Sequence, residues 1–254
     1  MQKMKQVSLS PDNTTAAIVL AGNSIVSANT DERSDLFWAF KGGGPNFGIF
    51  TRFDLYTAPV SDVWSQLSLF SPDQASQMLD AFAQWQSSED FDIKSSVTLS
   101  IGLDFITLGL LYSTPAESPS VFAPFYLLEP LQVLAPAANG TMSQIYDAAA
   151  SIVTSGSRRH GYRAASSQVD GKLCKSVHSL GREQALKVRE TTGANQTFAL
   201  RHVSRSLVSK GIERGGNPMG IPVENHQWWI TLADWVEAED DDLVRSVAIE
   251  TADL

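Results

Sequence analysis

Six short segments beyond Pro59 have the residue pattern of β-strands, and they constrain the fold more than any other feature of the sequence. They are residues 63–70, 94–101, 105–112, 162–169, 198–203 and 227–235. Their β-branched, aromatic and alternating apolar residues are typical of strands. Helical spacing of apolar residues occurs between them, over residues 73–86, 141–152 and 172–191. The segments 94–101 and 105–112 are predicted to form an antiparallel hairpin. The pattern predicts an α+β fold in which an antiparallel sheet is backed by helices.

The last strand segment has bulky residues on both of its faces. Trp228, Ile230 and Leu232 share one face, and Trp229 and Trp235 lie on the other. A strand that is bulky on both faces is typical of the centre of a sheet that is covered on both sides. The sequence therefore predicts that this strand is central and fully covered.

Two stretches of this region carry no strand pattern. Residues 114–136 contain five prolines and predict an irregular crossing segment. Arg158, Arg159 and His160 form a small basic cluster, which is interpreted as a solvated loop.

The helix at 172–191 is expected to end at Gly193.

The region before Pro59 has a different organisation. Strands are predicted at 5–9, 16–20 and 24–28, with a hairpin turn at Gly22-Asn23 between the last two. A helix at 31–40, a glycine-rich loop at 42–48 and a strand at 49–56 follow. We therefore predict two domains, residues 1–58 and residues 59–254.

Charge and composition exclude several classes of protein. The net charge of −9 and the isoelectric point near 4.9 argue against nucleic acid as a partner, because its recognition needs a basic surface. No apolar run is long enough for a membrane helix, and the first residues lack the apolar core of a signal peptide. The single cysteine, Cys174, excludes an internal disulfide and is interpreted as a structural thiol.

Local motifs leave the chemistry open. The glycine-rich segment 42–48 is neither GxGxxG nor a P-loop, because Phe47 replaces the last glycine and Ile49 replaces the lysine. Tight packing and close approach to a ligand both remain interpretations of it. The four histidines lack metal-ligand spacing, and no GxSxG motif is present. We therefore predict no metal site and assign no catalytic residue.

The stretch Asp35 to Tyr56, DLFWAFKGGGPNFGIFTRFDLY, resembles the end of the PCMH-type FAD-binding domain of FAD-linked oxidases of the berberine-bridge type, especially fungal members. Five other segments are similar to parts of the same family, in the same order. They are 8–18, 19–26, 191–198, 215–221 and 226–229.

The resemblance implies a flavin domain at 1–58, reduced to a remnant, and a substrate domain at 59–254. It implies FAD as the cofactor and oxidation of a small secondary metabolite as the activity. By analogy, Asn46, Gly48 and Ile49 bind the cofactor. The family is often secreted. From the spacing, charge and hydropathy given above, no metal, nucleic acid or membrane partner is expected.

The chain also departs from the family pattern. The family has a long stretch between the segments that match at Ile18 and Val19, and this stretch has no counterpart here. The histidine and cysteine that attach flavin are also missing from the pattern. The closing tyrosine-rich segment has no counterpart either. The chain is therefore expected to be truncated at both ends and internally. Two alternatives to the oxidoreductase stay open, a flavin-free ligand-binding protein or cyclase and an inactive product. Exposed Phe47, Phe50, Phe53 and Tyr56 predict self-association.

Overall fold

The computed structural model of the 254-residue chain describes residues 15–54, 60–88, 92–150 and 158–252. It divides into two compact units. The first unit consists of Met1–Ser61 and Ser204–Glu224, and the second of Asp62–Val203 and Asn225–Leu254. The helices and the antiparallel sheets confirm the predicted α+β class.

The first unit contains a three-stranded antiparallel sheet. Its strands are β1 (Thr15–Val19), β2 (Ile25–Ala28) and β3 (Ile49–Asp54), in the order β2-β1-β3. The hairpin between β1 and β2 turns at Asn23, whose φ of 60° suits a tight turn. The predicted hairpin is thus confirmed, whereas the strand predicted at 5–9 lies outside the described residues.

Two helices belong to the first unit, α1 (Ser34–Gly43) and α6 (Arg205–Glu213). Helix α1 runs into the glycine-rich segment, and a 3-10 helix at Gly44–Phe47 follows it. The prediction of a loop over 42–48 is therefore wrong. A Cβ on Gly42 would lie 2.4 Å from Met219 Cγ, so the glycine is needed for close packing rather than for a turn.

The second unit contains a seven-stranded sheet in which all neighbouring strands are antiparallel. Its order is β7-β4-β6-β5-β9-β10-β8. The strands are β4 (Asp62–Phe70), β5 (Ser95–Gly102), β6 (Ile106–Tyr112), β7 (Gln132–Thr141), β8 (Arg159–Gln168), β9 (Asn195–Val203) and β10 (His226–Trp235). The predicted hairpin of β5 and β6 is confirmed.

Helices cover one face of this sheet. The helices of the second unit are α2 (Ala75–Gln86), α3 (Ala123–Tyr126), α4 (Met142–Ala150), α5 (Gly171–Thr192) and α7 (Asp241–Ala252). Met78, Phe82 and Trp85 of α2 join Leu99, Leu200 and their neighbours in the main core. Burial of these apolar side chains between sheet and helices is the main stabilising contribution to the unit.

The ends of α5 follow from two residues. Asp170 caps the helix, because its carboxylate accepts hydrogen bonds from the backbone N–H groups of Lys172 and Leu173. Gly193 ends it in the left-handed conformation, with a φ of 66°. The predicted stop at Gly193 is confirmed.

Two sequence interpretations of the second unit are wrong. The segment 114–136 is not wholly irregular, because β7 begins within it at Gln132. Strand β7 is an edge strand with no buried residue, so it lacks the alternation that marks other strands. Residues 159 and 160 belong to β8 rather than to a solvated loop, and Arg159 pairs with Asp241.

We expect the free energy of unfolding to fall as pH decreases from about 6.5 towards 4, partly because of His178. Burial, aided by the positive charge of Arg182, lowers the pKa of this histidine to about 4. The unfolded chain binds the proton at an ordinary pKa near 6.5, so between these values it binds more protons than the folded chain. The stabilisation is present above pH 6.5 and is lost on acidification.

The check compares thermal melts of His178→Gln with those of the parent chain. The substitution is expected to remove about 1–2 kcal/mol of the stability difference between pH 7 and pH 5. His160→Gln is the matched control, because the His160 side chain is 69% exposed. Equal pH dependence in the parent and His178→Gln would contradict the assignment.

None of the helices in the described part of the chain has the length and hydrophobicity that a membrane span requires.

Candidate substrate-binding face

The face of the seven-stranded sheet that lies opposite α2, α5 and α7 carries the most chemically varied surface. We call it the second face, and define it by the alternate residues of β8, β9 and β10 that point away from these helices. It comprises Tyr162, Ser166, Thr197, Arg201, Trp228, Ile230 and Leu232. Their sequence neighbours, such as Leu200 and Trp229, pack in the core on the helix side.

Strand β10 shows the difference between the two faces. Trp229 and Trp235 are buried on the helix side, but Trp228 and Leu232 on the second face remain 36% and 39% exposed. The prediction that this strand is covered on both sides is therefore wrong. The bulky residues of the second face form an exposed apolar surface instead, which is typical of a ligand-binding region.

Cross-strand register brings side chains from three strands into rows on this face. Trp228 lies opposite Arg201 on β9 and opposite Ser166 on β8. Two residues further along, Ile230 is paired in the same way with Ala199 and Ala164. The next row pairs Leu232 with Thr197 and Tyr162. Because side chains in one row are neighbours, aromatic, cationic and hydroxyl groups meet within one patch.

A histidine–carboxylate pair lies at one end of the patch. His160 Nδ1 and Asp234 Oδ1 are 2.6 Å apart on directly opposite residues of β8 and β10. When Nδ1 donates to the carboxylate, the tautomer is fixed and Nε2 is left as an acceptor. The pair therefore has the geometry that proton exchange requires.

A small cavity of mixed polar and apolar lining adjoins this end of the sheet. Its volume is about 100 Å³, and Ser100, Thr107, Asn195 and Thr197 are among its lining residues. Asn195 Oδ1 is buried and has no hydrogen-bond partner within the described residues. Buried polar atoms are normally paired, so this carbonyl oxygen is available to a donor group of a ligand.

The three residues assigned to the cofactor lie together in the first unit. Asn46 Nδ2 donates a hydrogen bond to the carbonyl oxygen of Gly43 at 2.6 Å, which fixes the turn after α1. Gly48 has a φ of 146°, and a Cβ there would lie 2.4 Å from the Val19 carbonyl oxygen. Only glycine fits this position. Ile49 follows as the first residue of β3 and is 72% exposed.

Cys174 has no part in either site. It is buried, and burial raises the pKa of its thiol to about 11, so the thiolate is negligible at neutral pH. Gln227 Nε2 donates to its Sγ at 2.8 Å. The interpretation as a structural thiol is confirmed. Across the described residues, no group of His, Cys, Asp and Glu side chains is arranged to hold a metal ion.

Sequence reasoning did not find Arg201, Asn195 or the pair of His160 with Asp234. They lie on three strands that are far apart along the chain, and only the register of β8, β9 and β10 brings them to one face. The alternation of β10 was the available signal, since it separates Trp228 and Leu232 from Trp229.

Comparisons with known proteins point to one group. No protein-family model matches the chain. An FAD-dependent monooxygenase of Arthrobotrys oligospora is 30% identical over 231 residues, which cover 91% of this chain and 45% of that protein. The chain spans about half the length of the curated relatives that it matches.

Solved structures share the fold. The xylooligosaccharide oxidase of Myceliophthora thermophila matches with a TM-score of 0.69 at 17% identity, covering 94% of this chain and 54% of the oxidase. A variant of berberine bridge enzyme that is described as a reticuline dehydrogenase matches with a TM-score of 0.63 at 15% identity, covering 93% of this chain and 50% of the enzyme. The sequence resemblance, the fungal relatives and the shared fold agree: the chain is similar to fungal FAD-dependent oxidoreductases, and its fold matches that of solved oxidases of the berberine-bridge type.

Proposed function

We propose that the chain acts in an FAD-dependent oxidoreductase that oxidises a small secondary metabolite. The observation that carries this proposal is the second face, which presents exposed aromatic and apolar side chains beside polar atoms that have no hydrogen-bond partner among the described residues. Relatives of the chain are named as FAD-dependent enzymes. No observation favours a flavin-free function.

The second face supplies the contacts for the substrate. Trp228 and Leu232 offer apolar surface, and Tyr162, which is 57% exposed, adds an aromatic ring and a hydroxyl group. His160 Nε2, with Nδ1 engaged by Asp234, accepts or returns a proton of the substrate. FAD, when bound, supplies the redox chemistry as acceptor of the substrate's electrons.

Asn46, Gly48 and Ile49 are proposed to hold part of the cofactor. Gly48 lets the backbone run close to β1, and this presents Ile49 at the edge of the three-stranded sheet. The fit to the whole of FAD is incomplete. Pyrophosphate is normally bound at a helix N-terminus after a glycine-rich loop, but α1 and α6 begin after Arg33 and Ser204, in stretches without glycine. The described residues therefore provide only a nucleotide contact.

The assignment of residues 1–58 to flavin binding and 59–254 to substrate binding stays a proposal. The compact units support a boundary near Ser61. They also place Ser204–Glu224, which includes α6, with the first unit. We propose that Ser204–Glu224 belongs to the part of the chain that binds the cofactor.

The proposed activity is tested by anaerobic reduction of FAD. The chain, supplied with saturating FAD, is mixed with a panel of fungal aromatic and polyketide metabolites, and the loss of the visible flavin absorbance is followed. At least one metabolite is expected to bleach the flavin, and Trp228→Ala is expected to slow this. Leu180→Ala, an exposed residue of α5 on the other side of the sheet, is the matched control. The proposal fails if a full-length relative bleaches under these conditions and the chain bleaches with no member of the panel.

We expect the isolated chain to self-associate through the first unit. Phe47, Ile49 and Phe53 are 38%, 72% and 53% exposed, and Phe53 stacks on Phe50 with ring centroids 4.9 Å apart. Clustered exposed apolar side chains promote association. Tyr56, the fourth aromatic residue of the predicted patch, lies outside the described residues.

Light scattering over a range of concentrations measures this association. Phe53→Ser is expected to shift the chain towards the monomer. Phe105→Ser is the control, because Phe105 is also an exposed phenylalanine but belongs to the second unit. It is expected to leave association unchanged. A parent chain that stays monomeric at high concentration would refute the prediction.

A further inference from the structure

Arg201 places a positive charge on the second face with part of its guanidinium unengaged. The side chain is half-buried, and its Nη1 atom is buried without a hydrogen-bond partner among the described residues. Arginine stays charged throughout the physiological pH range. Because a buried charged donor without an acceptor is costly, the position calls for an acceptor oxygen from outside the described residues.

The residues around Arg201 indicate which class of ligand would supply the acceptor oxygen. Trp228 lies directly opposite Arg201, and Ser166 lies opposite Trp228 on the far side. One adjacent row consists of Ala164, Ala199 and Ile230, and the row on the other side of Arg201 consists of Gln168, Val203 and His226. None of these side chains is anionic, so these rows supply no counter-charge. An aromatic surface beside an unpaired guanidinium suits a flat apolar molecule that carries an acidic group.

We infer that Arg201 binds a carboxylate of the substrate while Trp228 packs against the substrate's planar apolar part. Guanidinium and carboxylate match in a bidentate, charge-assisted geometry, which is shorter and stronger than a neutral hydrogen bond. The inference rests on the proposed function for the placement of substrate on the second face. It specifies the substrate class as a planar carboxylic acid.

The test is a binding measurement on the whole chain without flavin. Isothermal titration with 2-naphthoate and with its neutral isostere 2-naphthamide measures the preference for a carboxylate. The parent chain is expected to bind naphthoate about tenfold more tightly than naphthamide. Arg201→Met, which keeps the length of the side chain and removes its charge, is expected to bind the two probes equally.

Two further variants make the result specific. Arg163→Met removes an exposed charge from β8 on the other side of the sheet, and it is expected to keep the full preference. Arg201→Lys keeps the charge without the bidentate geometry, and it is expected to keep a reduced preference even if Arg201→Met does not fold.

Three results would overturn the inference. They are equal binding of the two probes by the parent chain, an unchanged preference for naphthoate in either Arg201 variant, and an equal loss of that preference in Arg163→Met. The absence of flavin from this assay separates its failure from failure of the proposed oxidation, which is measured by bleaching.

Discussion

Replacement of Phe82 by alanine is expected to lower the free energy of unfolding by about 3–5 kcal/mol. Phe82 is 1% exposed at the centre of α2, and its ring lies 5.4 Å from that of Trp85. Its neighbour Met78 is fully buried in the same core. Removal of the ring leaves a cavity between helix and sheet that rigid neighbours cannot fill.

Thermal denaturation measures the effect, with an expected decrease in melting temperature of about 6–20 °C for a chain of this size. Phe105→Ala is the matched control, since this phenylalanine is 44% exposed and its loss leaves no cavity. Equal melting temperatures for the parent chain and Phe82→Ala would show that α2 does not pack on the sheet as described.

The 254-residue chain is expected to carry no covalent flavin and to bind free FAD at least about a hundredfold more weakly than the full-length Arthrobotrys oligospora relative. From the resemblance, the residues that attach flavin in the family are expected to have no counterpart in these 254 residues, and burial raises the pKa of the Cys174 thiol to about 11. The pyrophosphate also needs donors that compensate for its lost water. The segment 46–49 is proposed to supply only part of these contacts.

Acid precipitation and fluorescence titration test the two parts of this prediction separately. Purified protein should be colourless, and quenching of the fluorescence of added FAD should need concentrations about a hundredfold above those that saturate the relative. Ile49→Asp adds a charge where the nucleotide is proposed to lie, and it should abolish the residual binding. Ile25→Asp, on the exposed opposite edge strand β2, should not. Colour retained in the precipitate would refute the prediction that no flavin is covalently bound. Tight, saturable binding of added FAD would refute the prediction of weak binding.

Local patterns sufficed for most elements of the fold. The apolar stripe of α2 and the stop of α5 at Gly193 each depend on residues within a few positions of one another. Strands β5 and β6 were predictable as a hairpin for the same reason. Strand β7 was not, because an edge strand is held by backbone hydrogen bonds to β4 rather than by an apolar side-chain pattern.

The candidate site was less predictable than the fold. The resemblance supplied Asn46, Gly48 and Ile49, which are close together in sequence. Arg201 and Trp228 become neighbours only through the register of β9 and β10, and a single sequence contains no record of that register. The coverage of β10 was mispredicted because residue size indicates what a strand face can bury and not whether anything is packed against it.

Strand β7 also affects how the second unit meets other proteins. It forms one outer edge of the seven-stranded sheet, and it contains Pro136, which has no N–H to donate. Its pairing with β4 is interrupted by register shifts between Ser65 and Leu67 and between Leu67 and Ser68. Because Pro136 removes an N–H donor and the register shifts make the strand irregular, β7 is a poor template for an incoming strand from another molecule. Strand β8 forms the other outer edge of the sheet. Pairing with a strand of another molecule is therefore expected to begin at β8.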